Sequence, residues 1–173
     1  MEEIRWWPPD FGWIRINTDG AFKGGLNAGC GGVFRGDNGE WICGFSKGLG
    51  SCGVYVVELW GVFEGLKLAC SHDYRKVELH IDSSSVVSSI SSDQGGSIVG
   101  RTLLHNIRRL IDRDWEVQVR HSFREAIACA DAMANMACES NFSLILYEQC
   151  PARIRSLYLA DFVGISTSRF VKR

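Results

Sequence analysis

Alternating apolar and polar residues near the start of the chain predict three β-strands joined by short turns. In the first strand, Ile14, Ile16 and Thr18 share one face, while the residues between them share the other. Between the second and third strands, Asn38-Gly39 supplies the positive φ that a tight hairpin turn needs. The predicted strands span residues 13–19, 30–35 and 40–46. Because short turns join antiparallel strands, this region predicts an antiparallel meander.

From Val54 onwards the apolar residues recur at intervals of three and four instead, and helices then alternate with strands. A polar loop is expected at residues 92–100. The predicted elements are a helix at 54–72, a strand at 76–82, helices at 83–91 and 101–113, a strand at 115–121 and a helix at 126–139. The order β-β-β-α-β-α-α-β-α predicts a mixed α/β fold, in which helices flank a five-stranded mixed sheet.

The length of 173 residues fits one domain with short terminal segments. Pro8 and Pro9 have no amide donors and interrupt regular structure, so residues 1–11 are predicted to be an N-terminal leader. The domain itself is expected at residues 12–141, followed by a C-terminal extension at 142–173 with a basic end. We expect this basic end to be a loose terminus rather than an arm that binds nucleic acid.

The charge balance excludes proteins that hold nucleic acid by bulk positive charge. The chain has 19 Lys and Arg against 20 Asp and Glu, a net charge of -1. No apolar run approaches the ~18 residues of a membrane span, and the acidic N-terminus lacks the apolar segment of a signal peptide. Seven cysteines without a C-x-x-C pair are atypical of zinc sites and of secreted disulfide frameworks. We therefore expect free thiols, no membrane contact and an intracellular location in the nucleus or cytoplasm.

Four acidic residues occupy positions that packing alone does not favour. Asp19 and Asp82 each end a predicted strand, and the carboxyl ends of parallel strands form ligand sites at one edge of a sheet. Glu58 shares a helical face with Val62, and Asp131 lies inside an alanine-rich helix. Burying an unpaired carboxylate costs several kcal/mol, so acids at such positions indicate a site.

Two interpretations of these acids are open from the residues alone. Each acid could cap a helix, end a strand in solvent or pair with a nearby arginine. If all four converge, their repulsion requires a cation, and oxygen ligands without nearby Cys or His suit magnesium or manganese. Two such ions about 3.5–4 Å apart can activate a water and stabilise the leaving oxygen of a phosphodiester.

Four segments of the sequence, in order, resemble the ribonuclease H family. More closely, they are similar to the reverse-transcriptase-like ribonuclease H domains of plants that are related to retrotransposons. The segments are residues 17–21 with Asp19, 57–69 with Glu58, 78–83 with Asp82 and 124–134 with Asp131. The resemblance covers roughly residues 5–165.

The resemblance implies an endonuclease that hydrolyses the RNA strand of RNA–DNA hybrids with two Mg²⁺ ions, or with Mn²⁺. It assigns metal binding to four carboxylates, those of Asp19, Glu58, Asp82 and Asp131. It also implies that His121, ten residues before Asp131, assists proton movement or product release. Distinguishing RNA from DNA requires contact with the 2′-hydroxyl, for which Gly20 and Ser83 are candidates because they follow strand-end acids. We expect a monomer whose partner is nucleic acid.

The sequence departs from the family pattern in two places. Ile127 stands four residues before Asp131, where the family usually has Asn, and this change concerns turnover more than metal binding. Residues 92–100 carry no Lys or Arg, so the basic protrusion of the bacterial enzymes is absent and weak affinity for hybrids is expected. Two other functions are open: a catalytically silent nucleic-acid-binding module derived from a retroelement, and a 3′–5′ exonuclease of the same fold.

Overall fold

A computed structural model describes residues 1–24, 27–92, 98–139 and 143–172 of the chain. The strands of this part are β1 (Glu2–Ile4), β2 (Ile14–Lys23), β3 (Asn27–Arg35), β4 (Trp41–Gly50), β5 (Lys76–Ile81), β6 (Glu116–His121), β7 (Leu144–Tyr147) and β8 (Thr167–Arg169). The α-helices are α1 (Val54–Ser71), α2 (Ser84–Ser91), α3 (Ile98–Ile111), α4 (Ala128–Cys138) and α5 (Arg155–Val163). Single 3₁₀ turns at Arg124–Ala126 and Ala152–Ile154 precede α4 and α5.

Six of the strands form one mixed sheet in the order β6-β5-β2-β3-β4-β7. β5 is parallel to both β2 and β6, and the other neighbouring strands are antiparallel. The predicted mixed α/β fold is confirmed, but the prediction of five strands is wrong by one, because β7 adds to the edge of β4. The sequence of β7, Leu-Ile-Leu-Tyr, is apolar at every position, so it lacks the alternation that identifies a half-buried strand.

β1 and β8 form a second, two-stranded antiparallel sheet that joins the two ends of the chain. Glu2 lies opposite Arg169, and Ile4 lies opposite Thr167. The basic end is therefore not the loose terminus that its composition predicted. A pairing between residues so far apart in sequence leaves no local pattern. The division into residues 1–11, 12–141 and 142–173 stays a prediction.

The helices follow the predicted periodicity, with shifts at their ends. α3 begins at Ile98 rather than at Arg101, so residues 98–100 of the predicted polar loop are helical. Residues 93–97 of that loop lie outside the described residues. Within the described ranges, every helix is too short or too polar to cross a bilayer.

Helices cover both faces of the large sheet. On one face, α1 and α3 pack against Ile16, Phe34 and Leu79. On the other, α4 packs against Val33 through Met133 and Cys129. Adjacent residues of β3 thus face opposite layers, as the pleat of a strand requires.

α4 crosses the sheet at a place where a side chain would not fit. A Cβ at Gly31 of β3 would lie 2.5 Å from the backbone nitrogen of Ala134 and 2.6 Å from the carbonyl carbon of Met133. The absence of a side chain at Gly31 therefore allows α4 to lie directly on the strand. Gly31 is paired with Asp19 of β2, so the same close approach brings α4 to the region of the predicted site.

A buried polar network connects both terminal segments to the sheet. The fully buried Arg35 of β3 donates to Asp161 of α5 at 3.1 Å and to the carbonyl of Gly39 at 3.1 and 3.2 Å. Its guanidinium carbon lies 3.6 Å from the centre of the Trp6 ring and 4.7 Å from that of Tyr158. Residues before and after the central sheet therefore contribute to the core of the protein.

All seven cysteines lie in the described part of the chain, and all are free thiols. Four of them, Cys30, Cys43, Cys129 and Cys138, are buried. The other three, Cys52, Cys70 and Cys150, are half-buried. Burial raises the pKa of each of these thiols, and it raises the pKa of Cys43 to about 11.

Candidate active site

The parallel pairing of β2 with β5 ends just before two of the predicted acidic residues, Asp19 and Asp82. The last paired residues are Asn17 and His80, two positions before Asp19 and Asp82 in their strands. β5 ends at Ile81, so Asp82 directly follows the strand that was predicted to end with it, whereas β2 continues beyond Asp19 to Lys23. The prediction that Asp19 ends its strand is wrong, because the antiparallel partner β3 extends the pairing of β2 to that residue. Both carboxylates nevertheless meet at one edge of the parallel part of the sheet.

Glu58 reaches the same place from the second turn of α1. The amide of Gly20 donates to Asp19 Oδ1 at 2.9 Å and to Glu58 Oε1 at 3.3 Å, so one N–H connects the two carboxylates. A Cβ at Gly20 would lie 2.6 Å from Val57 Cγ1. A glycine at position 20 therefore lets the start of α1 approach β2 closely enough for this contact.

Three of the four predicted carboxylates form one cluster. Oxygen atoms of Asp19, Glu58 and Asp82 all lie within 4.8 Å of one another. Asp131, in the first turn of α4, lies near enough to Asp19 to contribute to the raised pKa of that carboxyl. α1 contributes one of the acids and α4 another, and these helices lie on opposite faces of the sheet. The convergence is therefore a property of the whole fold rather than of one loop.

The electrostatics of the cluster disfavour its full ionisation. Burial, together with the negative charges of Glu58 and Asp82, raises the pKa of Asp19 to about 10. Burial also raises the pKa of Glu58 to about 7, although hydrogen bonds from Asp19 and the Gly20 amide act in the opposite direction. Like charges this close hold a proton between them unless a cation replaces it.

The other buried acids of the described residues each have a basic partner, whereas Asp19 and Glu58 have none. Three of them form ion pairs: Glu64–Lys47 at 2.8 Å, Glu78–Arg15 at 2.6 Å and Asp161–Arg35 at 3.1 Å. No Lys or Arg in the described ranges forms such a pair with Asp19 or Glu58. Glu58 Oε2 is buried and has no hydrogen-bond partner. A cluster of carboxylate oxygens in which neither Asp19 nor Glu58 is paired with a Lys or Arg of the described ranges fits a divalent metal ion such as Mg²⁺ or Mn²⁺.

The raised pKa values predict how stability depends on pH and on metal. Without metal, Asp19 and Glu58 keep protons at pH values where the unfolded chain, with carboxyl pKa values near ~4, has lost them. Their contribution to the free energy of unfolding therefore falls as pH rises from about 5 to about 8. Because Mg²⁺ replaces these protons and binds only the folded state, its stabilising effect is expected to be larger at about pH 8 than at about pH 5.

Thermal unfolding in EDTA and in Mg²⁺ at the two pH values measures this effect. Asp19→Asn is the control, since it removes one of the two titrating groups and leaves other ionisations in place. The difference in Tm between wild type and Asp19→Asn isolates the contribution of the cluster. An equal gain in Tm from Mg²⁺ at both pH values, or no gain at either, would contradict the prediction.

His121 lies beside the acidic cluster at the end of β6. It is paired with Ile81 in the parallel register, and its Nε2 lies 3.1 Å from the backbone oxygen of Asp82. Its side chain is exposed. The placement agrees with the predicted position of His121 near the reacting groups, and its catalytic role stays a prediction.

The two predicted substrate contacts have local structural roles. The Gly20 amide donates within the acidic cluster, as described above. Ser83 is the N-cap of α2: its Oγ accepts from the Val86 amide at 3.3 Å and lies 3.1 Å from Ser85 Oγ. Both residues border the cluster, and their contact with the 2′-hydroxyl stays a prediction.

Two arginines near the site were missed by sequence reasoning. Arg124 Nε lies 3.8 Å from Asp82 Oδ2, and its side chain is exposed. Its position three residues after His121 was the available signal. Arg169 contacts the loop after His121 from β8, and nothing in the local sequence connects it with that loop. Together with Asp82 and His121, these arginines line a depression of about 400 Å³.

Ile127 has a structural role in this protein, which the expectation of Asn at this position did not indicate. Its side chain is fully buried where the 3₁₀ turn Arg124–Ala126 meets α4. Ile127→Asn would lose apolar burial and place an amide in the core, so we expect a loss of about 2–4 kcal/mol in the free energy of unfolding. Denaturant unfolding measures this loss.

The control for this variant is Ile165→Asn, because Ile165 is largely exposed. It should change the free energy of unfolding by no more than about 0.5 kcal/mol. If Ile127→Asn were as stable as this control, the buried role of Ile127 would be refuted. Whether the amide speeds turnover must be measured well below the Tm of the variant.

Comparison with known proteins agrees with this geometry. Residues 17–137 match the family model described as reverse transcriptase-like. A curated Arabidopsis thaliana protein named "Putative ribonuclease H protein" is 35% identical over 171 residues, which are 98% of this chain and 27% of the relative. The chain thus spans about a quarter of the length of this relative.

Solved structures of ribonuclease H domains share the fold. The N-terminal RNase H domain of a Mycobacterium tuberculosis protein superposes with a TM-score of 0.68 at 22% identity, covering 73% of this chain and 94% of that chain. RNase H1 from the archaeon Halobacterium salinarum gives a TM-score of 0.66 at 22% identity, covering 73% and 98%. LC11-RNase H1 in complex with an RNA/DNA hybrid gives 0.65 at 23% identity, covering 73% and 96%. Because the family model matches residues 17–137, well over half of the sequence, the chain belongs to the reverse transcriptase-like family of ribonuclease H domains.

Proposed function

We propose that this domain is an endonuclease that hydrolyses the RNA strand of RNA–DNA hybrids and depends on divalent cations. The observation that carries the proposal is the convergence of Asp19, Glu58 and Asp82 oxygens within 4.8 Å, at a site without a protein cation paired to Asp19 or Glu58. The name of the Arabidopsis relative supports it, as does the shared fold of LC11-RNase H1, which was solved with an RNA/DNA hybrid.

The four carboxylates would hold two Mg²⁺ ions, or Mn²⁺. Their donor atoms are all oxygens, which suits these hard cations. Bound there, the ions supply activation of the attacking water and stabilisation of the leaving 3′-oxygen. The Gly20 amide keeps the Asp19 and Glu58 carboxylates oriented towards each other, which fixes the ligand geometry before a cation binds.

His121 and its neighbours act on the substrate side of the cluster. The exposed imidazole of His121 lies beside Asp82, where it can donate a proton to a leaving oxygen or assist product release. The Arg124 guanidinium, also exposed, offers positive charge to a phosphate. Gly20 directly follows Asp19 and Ser83 directly follows Asp82, and both are assigned to recognition of the ribose 2′-hydroxyl.

The test is cleavage of an RNA–DNA hybrid labelled on its RNA strand, with Mg²⁺, with Mn²⁺ or with EDTA. We expect internal cleavage of the RNA strand with either ion, products with 5′-phosphate and 3′-hydroxyl ends, and no cleavage in EDTA. Duplex DNA and single-stranded RNA serve as control substrates. Binding of the hybrid without cleavage under any metal would instead identify a silent binding module, and stepwise loss of 3′ nucleotides would identify an exonuclease.

A further inference from the structure

The loop that follows β6 connects two parts of the candidate active site. It starts after His121 and leads through a 3₁₀ turn to α4, which carries Asp131. The first residue of the loop, Ser122, is tied to β5: its amide donates to the Ile81 carbonyl at 2.9 Å, and its Oγ lies 2.7 Å from His80 Nδ1. The main sheet therefore fixes the start of this loop.

The rest of the loop is held by a residue of the C-terminal strand. Arg169 Nη1 donates to both carboxylate oxygens of Glu125, at 2.8 and 3.0 Å. The same guanidinium lies 4.8 Å from the centre of the Phe123 ring. Phe123 in turn packs edge-on against His121, with ring centres 5.3 Å apart and an angle of 89° between the rings. A continuous series of contacts thus runs from Arg169 through Phe123 to His121.

β8 is itself anchored, so Arg169 has a fixed position. It pairs with β1, in which Glu2 lies opposite Arg169 and Glu3 lies opposite Ser168. The Glu3 carboxylate accepts hydrogen bonds from the hydroxyl groups of Ser166, at 2.8 Å, and of Ser168. The two-stranded sheet of β1 and β8 therefore supports the loop through Arg169, in addition to the contacts of Ser122 with β5.

We propose that Arg169 is a positioning residue of the candidate active site, which restrains residues 122–126 and, through Phe123, holds the His121 ring beside Asp82. Arg169 lies outside residues 17–137, the segment that matches the family model. The C-terminal strand is thereby assigned a role in the arrangement of the site. The catalytic consequence of this role rests on the proposed function, whereas the restraint of the loop does not.

The restraint is tested first without substrate, by hydrogen–deuterium exchange. Arg169→Met removes both the ion pair and the contact of the guanidinium with the ring while keeping a long side chain. The amides of Ala126 and Ile127 donate to Phe123 and Arg124 carbonyls and report the order of the loop. We expect their exchange to rise by about tenfold or more in Arg169→Met, since local opening governs exchange.

Arg153→Met is the matched control. Arg153 forms a comparable two-point ion pair with Glu139, at 2.7 and 3.0 Å, also in the C-terminal part of the chain but away from His121. Exchange at residues 122–127 should be unchanged in this variant. Equal exchange in the two variants would overturn the proposal, whatever the activity of the protein.

The catalytic consequence is tested with the Mg²⁺-loaded protein and an RNA–DNA hybrid. We expect Arg169→Met to lower kcat by about tenfold with little change in KM, less than the roughly 10²–10⁴-fold effect of removing an acid–base group outright. Arg169→Lys should recover part of kcat, because Lys keeps the charge. Arg153→Met should match wild type.

A double variant separates positioning from a direct effect. If Arg169 acts through His121, Arg169→Met should have no further effect in the His121→Ala background. Independent, multiplicative losses would refute the positioning role. If wild type cleaves no hybrid, the proposed function fails, and the exchange experiment alone then decides whether Arg169 restrains the loop.

Discussion

Asp82→Asn is expected to lower cleavage of an RNA–DNA hybrid by roughly 10³-fold or more, equivalent to about 4 kcal/mol of transition-state stabilisation. The reason is that Asp82 supplies one of the three carboxylates whose oxygens converge within 4.8 Å. Asn keeps the volume but not the charge that retains divalent cations. Single-turnover cleavage of a labelled hybrid in Mg²⁺ measures the loss.

The same variant should remain folded, and binding of the hybrid should change far less than cleavage, because the substitution keeps Arg124 and the other groups that can contact phosphates. In EDTA its Tm should equal or exceed that of wild type, since one negative charge leaves a repulsive cluster. Asp114→Asn is the matched control, because Asp114 is a fully exposed acid that pairs with Arg75 far from the site. Undiminished cleavage by Asp82→Asn would reject the metal-site assignment.

Asp161→Ala is expected to lower the free energy of unfolding by about 3–5 kcal/mol, because it leaves the buried Arg35 guanidinium without its anion. Denaturant unfolding monitored by tryptophan fluorescence suits this measurement, since Trp6 lies against Arg35. The effect should appear without any change in the acidic cluster. Surface ion pairs typically contribute about 0–1 kcal/mol. A loss within that range would show that the buried network contributes little to the free energy of unfolding.

A double variant distinguishes the unpaired charge from lost packing. Arg35→Met with Asp161→Leu removes both charges and keeps apolar volume in the same place. It should be more stable than Asp161→Ala alone, since replacing a buried ion pair by apolar residues is often close to neutral. The Gly39 carbonyl would still accept from Tyr158 Oη at 3.2 Å, so the double variant leaves that group paired.

The strands and helices that position the site could be predicted because their apolar residues recur at regular intervals. β2 alternates cleanly around Ile16, and Glu58 interrupts an otherwise apolar helical face next to Val62. A charged residue on a packed face is a local signal, and here it identified an acid whose carboxylate lies beside those of Asp19 and Asp82. Asp131 was found in the same way, from its alanine-rich surroundings in α4.

The remaining features depend on contacts between residues distant in sequence. Arg35 and Asp161 are 126 residues apart, and Arg169 and Glu125 are 44 residues apart. Neither pair has a periodic pattern that would connect its members. β7 was missed for another reason, since an edge strand that is apolar throughout resembles any short apolar run.

Alkylation of the free thiols can be used to measure local unfolding of the protein. Cys30 and Cys43 lie in β3 and β4, and Cys129 and Cys138 lie in α4, so buried thiols occur in both layers of the core that flank the sheet. With raised pKa values and little solvent access, they are expected to react with an alkylating reagent mainly when their element opens. Mass spectrometry of alkylated peptides would therefore give the opening free energy of each element separately, without any engineered probe. Cation binding at the carboxylates would then be read as slower alkylation of α4.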